Sequence, residues 1–499
     1  MKVARKIPTV MFSQHPDHAS KPYWHIKPFI ETHYEVEECF RMFSEFGIEE
    51  MMWDWEGKLV DESVIERLWK DYFEFFRRKP LGEEVFLTFR VPNPRVESGY
   101  RLGRAFMVIL SASQLAHKAG LPKYPLFEVI LPMTETAGDI LSLQKSFQKI
   151  SQATQESFNG SIRYKKQIEV IPLFESIGTI LRSGKILREY VKLAKTQLAW
   201  EPYYLRPFCA RSDPALNSGI VTTTLAVKWA LSEFAKFTAE TGIITYPIIA
   251  AGSLPFRGGL TPETAYQFLQ DFSGVKTLVL QSAFRYDYPI EKVKSSIRKI
   301  KEQIPKSFPE ILPTETYKKI REVIPWFEIP YREMVEKITP AIREISRSIP
   351  ARRERSQHIG LFGYSRQVGK TSLPRAIGFT ASCYSLGIPP EFFGLAAGFK
   401  KSMRRNRVEM IENLYPSLKS ALERAGRYLR KESLKQLGLK EMAGEIKDIE
   451  EYLGRELGAK TDAEKNHAEL AGKIVTLFLK GKNFQSELEE AALLRRSLG

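Results

Sequence analysis

Cysteine is scarce: Cys39, Cys209 and Cys383 are the only three in 499 residues, and no two form a Cys-x-x-Cys pair. That excludes a disulfide framework and points to reduced core thiols of a cytoplasmic protein. Long apolar runs are missing too. The stretch FMVILSASQLA (106–116) falls short of the roughly 20 residues that span a bilayer and reads as buried helix. Nothing has the layout of a signal peptide, so neither a membrane partner nor export is expected. There is no His/Cys cluster at zinc spacing, no nucleophile elbow and no Gly-x-Gly-x-x-Gly turn after a strand. Zinc hydrolysis, serine-hydrolase chemistry and dinucleotide binding lose their usual signatures.

Acidic residues are in deficit, 59 against 75 Lys and Arg, for a net charge of +16. A basic balance suits nucleic acid, an anionic surface or small anionic substrates. Here the charge is spread along the chain, densest in KKSMRRNR (400–407) and ARRERSQH (351–358), without an RNA-binding signature or aromatic-interleaved tract. Distributed charge favours small anions or a solvated basic surface, and no nucleic-acid partner is expected. One stretch, HIGLFGYSRQVGKTS (358–372), imitates a phosphate-binding P-loop. That pattern needs four residues between its first glycine and Gly-Lys-Ser/Thr, whereas five separate Gly363 from Gly369. One extra residue takes the backbone amides out of register around a phosphate, so ATP is set aside.

What is present is a rhythm. Short apolar runs end in polar, Gly- or Pro-bearing loops: PTVMFSQHPD, IEEMMWDWEGK, EVFLTFRVPNP, LFEVILPMTET, IEVIPLFES, LRPFCARSDPALNSG, TYPIIAAGSLPFRGG, KTLVLQSAFRYD and HIGLFGYSR. Helical periodicity fills most of the gaps, as in ESVIERLWKDYFEFFRR (62–78). Continuous apolar strands alternating with helices argue for a parallel sheet covered by helices, and about eight units predict a closed (β/α)8 TIM-type barrel of the α/β class. Nine candidate strands compete for eight places. The reading leaves the Trp53-Asp54-Trp55 segment outside and takes HIGLFG as the last strand. Residues 1–289 then hold the first seven units, and 290–350 form a helical insertion broken by prolines. Residues 351–390 complete the barrel, and 391–499 form a C-terminal helical region on the barrel or in an oligomer interface.

In such barrels the working residues follow the strand C-termini. Those positions hold His15, Arg90, Glu175, Arg211, Asp213, Arg257, Arg285 and Arg366, with Glu128 inside FEVILPM. Arginines bind carboxylate and phosphate through two parallel N–H bonds, and paired carboxylates with substrate oxygens and water suit Mg²⁺ or Mn²⁺. The inventory describes a site for a small, multiply charged anion bridged to a divalent cation. Gly258 and Gly259 beside Arg257 let a backbone approach an anion, or let a loop close over it.

The motifs SQHPD, MWDWEGK, FRVPNP, EVILPMTET, ARSDPALNSG, GSLPFRGG, QSAFRYD and HIGLFGYSR, in this order, resemble those of archaeal-type phosphoenolpyruvate carboxylase. The resemblance implies a homotetramer that needs Mg²⁺ and converts phosphoenolpyruvate and bicarbonate to oxaloacetate and phosphate. Against the larger bacterial and plant enzymes, His15 matches the histidine of Thr-Ala-His-Pro-Thr. Glu175 and Asp213 match the metal-binding acids, and Arg257 matches the glycine-rich arginine loop. The lysine three positions after that aspartate is Leu216 here, and Arg211 is the candidate to replace it. The resemblance implies that His15, Arg257 and Arg211 are catalytic and that Arg90, Arg285, Arg366, Gly258 and Gly259 bind substrate. A metal on Glu175 and Asp213 would stabilise the enolate. Another Mg²⁺-dependent phosphoenolpyruvate or pyruvate barrel enzyme, a phosphotransferase or aldolase, remains an alternative. So does a basic nucleic-acid-binding protein, which would not need carboxylates among its arginines.

Overall fold

A computed structural model describes residues 5–97, 100–157, 167–354, 367–368 and 371–499. Eight parallel strands close into a barrel, each paired with the next in sequence and the last with the first. They are β1 (Val10–Ser13), β2 (Glu50–Asp54), β3 (Phe86–Arg90), β4 (Glu128–Leu131), β5 (Glu169–Phe174), β6 (Phe208–Cys209), β7 (Ile248–Ala251) and β8 (Thr277–Leu280). Closure is visible in the register: Val10 pairs with Leu278 on one side of β1, and Met11 with Glu50 on the other. Inward side chains Met11, Met52, Ile130, Ile171, Leu173, Phe208, Ile248, Ala250 and Val279 fill the barrel interior. The interior is therefore packed core, and space for a ligand exists only at its ends.

Helices cross over between successive strands: α1 (Glu35–Ser44), α2 (Val64–Arg78), α3 (Arg101–Lys118), α4 (Ala137–Ser157), α5 (Ile177–Leu198), α6 (Ser212–Ser218) with α7 (Ile220–Thr241), and α8 (Ala265–Asp271). After β8 come α9 (Ser282–Tyr286), α10 (Ile290–Gln303), α11 (Thr314–Ser346) and α12 (Ala376–Ser385). Further helices run from Leu395–Arg404 to Gln485–Leu494 and cover the barrel on the side of the α6–α7 and α11 layer. Among the described residues no helix is long and apolar enough to cross a membrane.

Two expectations about the strands are overturned. The Trp53 segment belongs to β2, and the eighth strand of the closed sheet is Thr277–Leu280; the HIGLFG expectation falls on residues 358–363, which lie outside the described residues. The acidic ends of β2 obscured it: Glu50 points into the base of the barrel, where Arg206 satisfies it. It follows that the helices from residue 290 come after the last strand rather than before it, and that α10 packs on β1 and α8 as the barrel's eighth outer helix. Nor do the prolines break α11. Pro325, Pro330 and Pro340 lie inside this 33-residue helix, which packing against α7, α6 and α12 holds together despite the lost hydrogen bonds.

Candidate active site

A cavity of about 120 Å³ opens at the C-terminal ends of the strands. His15, Arg90, Glu175, Arg211, Asp213 and Arg257 all line it. Its floor is barrel core: Met52, Leu173, Phe208 and Ala250.

Each polar residue is placed by the turn that follows its strand. His15 leaves β1 with Nδ1 2.9 Å from Ser13 Oγ. Arg90 ends β3; its Nη2 pairs with Glu56 and its Nε lies 3.4 Å from Asp54 Oδ1. Glu175 stands between β5 and α5, where Ser176 Oγ caps the helix by accepting Thr179 N–H at 3.2 Å. The abrupt cap fixes the chain direction, and Glu175 Oε2 accepts the Met133 N–H at 2.6 Å. Met133 sits at φ 48°, in the left-handed region that non-glycine residues rarely adopt. Asp213 occupies the first turn of α6, with Arg211 just before it.

Arg211 is buried, with its guanidinium 5.4 Å over the Phe272 ring. Burial pulls its pKa down, opposed by Tyr415, which also hydrogen-bonds it, and by Asp271. Its Nε and Nη1 have no hydrogen-bond partner among the described residues. Leu216 is fully buried and lines none of the cavity. A side chain there could not do a lysine's work from its present direction.

Arg257 is the most constrained. Nε donates to Ser212 Oγ at 3.2 Å, Nη1 to Asp17 Oδ2 at 3.1 Å and to the Gly499 carbonyl at 2.5 Å, and Nη2 to Gln281 Oε1. Its turn is closed by Gly252 N–H to Arg257 O, Arg257 N–H to Leu254 O and Gly259 N–H to Leu254 O, each 2.9 Å. Gly252 makes room for the guanidinium, because a Cβ there would lie 2.8 Å from Arg257 Cζ.

Four expected members of the site lie elsewhere. Gly258 and Gly259 do not line the cavity. They shape the turn at φ 117° and 68°, and a Cβ on Gly258 would come within 2.6 Å of Ala251 Cβ. Arg285 is turned inward behind the wall, with Nη1 2.9 Å from Glu38 Oε1 and Nη2 donating to Ser13 O at 3.0 Å. Glu128 opens β4 rather than ending it, and so lies at the opposite end of the barrel. Arg366 lies outside the described residues.

The cavity also recruits residues that the sequence reading passed over: Asp54, Glu56, Lys58, Arg353 and Arg375. Asp54 ends β2 and Glu56 lies just beyond it, so both obey the same rule as the others; setting that strand aside hid them. Arg353 and Arg375 follow no barrel strand, so that rule had no means of finding them. Burial pushes the Glu56 carboxyl well above its ordinary pKa, helped by the neighbouring charges of Glu175 and Asp54, while Arg375 opposes the rise.

Among the described residues no three His, Cys, Asp or Glu side chains converge as a metal cage. The donor set nevertheless fits a hard divalent cation. Glu175 and Asp213 share the cavity with three further carboxylates, Asp54, Glu56 and Glu354, and the charges of Glu175 and Asp54 add to the burial that raises the Glu56 carboxyl, a repulsion such a cation would relieve. Mg²⁺ characteristically takes one or two carboxylates, with water and substrate phosphate completing its octahedron.

A family model described as phosphoenolpyruvate carboxylase matches residues 7–499. A protein of that name from Metallosphaera sedula is 37% identical over 99% of this chain and 100% of its own length. One from Leuconostoc mesenteroides is 37% identical over 95% of both chains. One from Pyrococcus horikoshii is 39% identical over 89% of this chain and 93% of its own. With its barrel, its charged mouth and a match along nearly its whole length, the chain belongs to the phosphoenolpyruvate carboxylase family.

Proposed function

We propose that this mouth joins bicarbonate to phosphoenolpyruvate, giving oxaloacetate and phosphate by way of carboxyphosphate and the pyruvate enolate. Carboxylation of phosphoenolpyruvate is the activity that family membership brings; the division of labour among residues is our reading of the cavity. What carries that reading is the convergence of His15, Arg90, Glu175, Arg211, Asp213 and Arg257 on one small space. Its volume suits a short-chain anion rather than a nucleotide or a nucleic-acid strand.

Arg211, whose Nε and Nη1 have no partner among the described residues, binds the substrate's phosphate or carboxylate together with Arg90. Bicarbonate oxygen attacks phosphorus, the bond from phosphorus to the enol oxygen breaks, and carboxyphosphate forms beside the enolate. Glu175 and Asp213 would hold Mg²⁺ or Mn²⁺, which supplies Lewis-acid stabilisation of negative oxygen. Arg257 keeps carboxyphosphate in place and water out. His15 takes the carboxyphosphate proton: its Nδ1 is held 2.9 Å from Ser13 Oγ, and in the tautomer that donates Nδ1–H to that oxygen Nε2 carries the lone pair that acts as base. Loss of that proton splits carboxyphosphate into CO₂ and phosphate, and the enolate carbon attacks CO₂. The reading also includes a homotetramer, which light scattering of the purified protein tests.

The test is a coupled assay for oxaloacetate in which phosphoenolpyruvate, bicarbonate and divalent metal are each left out. Product should require all three. Pyruvate formation without bicarbonate, conditional on an added acceptor that becomes phosphorylated, would overturn the reading in favour of a phosphotransferase.

A further inference from the structure

We infer that Asp17 is a positioning residue for the carboxylation step, clamping Arg257 over the mouth and holding it away from Asp213. The inference rests on the role given above to Arg257. Asp17 is fully buried, two residues beyond His15. Its Oδ1 accepts the Ala283 N–H at 2.7 Å and lies 3.1 Å from Ser282 Oγ. Its Oδ2 accepts Arg257 Nη1 at 3.1 Å. Its own N–H and that of His18 donate to Ser282 Oγ at 2.9 and 3.1 Å, and its carbonyl accepts the Leu498 N–H at 2.7 Å. One side chain thus joins the His15 loop, the start of α9 and the β7 turn, and its backbone adds the last residues of the chain.

Why a charge should sit there follows from what surrounds Arg257. Its guanidinium is buried and feels two carboxylates, Asp17 first and Asp213 second. Asp213 belongs to the acidic side of the cavity, where a cation has to be shared with Glu175. A guanidinium drawn onto Asp213 would neutralise that ligand and leave its own post. Asp17 prevents this by supplying the stronger attraction, through its 3.1 Å contact with Nη1. Together with Ser212, Gln281 and Gly499 it engages four of the five N–H donors of Arg257, leaving one on Nη2. A guanidinium fixed in that way can hold carboxyphosphate without rearranging during the reaction.

Loosening Arg257 has a specific chemical consequence. Phosphoryl transfer to bicarbonate still proceeds, but CO₂ escapes before it is captured. The enolate then takes a proton from water, and the products are pyruvate, CO₂ and phosphate. The experiment measures oxaloacetate formed per phosphate released in Asp17→Asn, with Arg257→Lys as reference. Asparagine keeps the size and the Oδ1 acceptor and removes the charge. Asp17→Ser is the second variant, because serine keeps a hydrogen-bonding oxygen and removes the carboxylate. The expected result is a fall of about 10-fold or more in the oxaloacetate-to-phosphate ratio of both Asp17 variants and of Arg257→Lys, of the order that misplacing a preorganised contact produces. The KM for phosphoenolpyruvate should move less, since Arg90 and Arg211 remain. A wild-type ratio in both Asp17 variants, at any rate of turnover, would overturn the inference: a merely structural role lowers both products together. If Arg257→Lys itself keeps the wild-type ratio, the role assigned to Arg257 fails first and the Asp17 inference with it.

Discussion

The two ends of the barrel use the same residue types in opposite ways. At the N-terminal end Arg206 donates to Glu50 at 2.9 and 2.6 Å and to Glu128 at 2.8 Å. Arg5 and the Tyr204 hydroxyl close the other side of Glu128, each at 2.6 Å. There charges match charges: the cations hold Glu128 below its ordinary pKa, and the two glutamates raise that of Arg206. At the C-terminal end Asp54, Glu56, Glu175, Asp213 and Glu354 share a cavity with Lys58, Arg90, Arg211, Arg257, Arg353 and Arg375; Arg90 pairs with Glu56 and Asp54, but the matching is incomplete. Glu56 is pushed up and Arg211 and Arg375 are pushed down. A satisfied network serves the fold; on the function proposed above, an incompletely matched one would be completed by substrate and a divalent cation. Stability is given up where binding needs it.

Four substitutions test this contrast, the largest effect first. Glu175→Gln should lower kcat/KM for carboxylation by about 10³-fold or more, on the scale of lost electrostatic catalysis. Its melting temperature without metal should be unchanged or higher, because one of the charges raising Glu56 is gone. A lower melting temperature would erase the distinction between the two ends. Arg206→Met should do the reverse. Leaving Glu50 and Glu128 buried without their cation costs about 3–5 kcal/mol, read by denaturant unfolding, while kcat per folded molecule stays near wild type.

His15→Asn sharpens the contrast at the mouth alone. Loss of a general base should cost about 10²–10⁴-fold in oxaloacetate formation with little change in unfolding free energy. The smallest effect concerns pH. Burial pushes the Asp287 carboxyl from its ordinary 3.8 up to about 7, against the pull of the Ala19 and Ser20 amides that it accepts at 2.8 and 2.7 Å. The folded protein therefore keeps a proton that the unfolded chain has lost between those values. The resulting stabilisation is full below pH 3.8 and drains away as pH rises through about 7. Asp287→Asn should flatten that slope, as thermal melts across the range would show.

Much of this architecture was legible in the sequence, for physical reasons. Strands buried on both faces are continuous apolar runs, and Thr277–Leu280 and Ile248–Ala251 are unmistakable on that ground. Strand β2 misled because Glu50 and Asp54 at its ends serve the Arg206 network at the barrel's base and the mouth respectively. Candidate site residues were legible where a strand end fixes both position and direction, as for His15, Arg90, Glu175 and Arg257. Arg285 has the same sequence address but turns toward Glu38 on α1, and a partner 247 residues away is invisible to local pattern. Arg353 and Arg375 enter the wall from beyond the barrel, where no rule of strand ends applies.

The most direct test of the central claim compares the two ends in one assay. Oxaloacetate formation from phosphoenolpyruvate, bicarbonate and Mg²⁺ would be measured for Glu175→Gln and Arg206→Met, each normalised to folded protein. The account expects activity abolished in the first and kept in the second. Comparable activity in the two would contradict it.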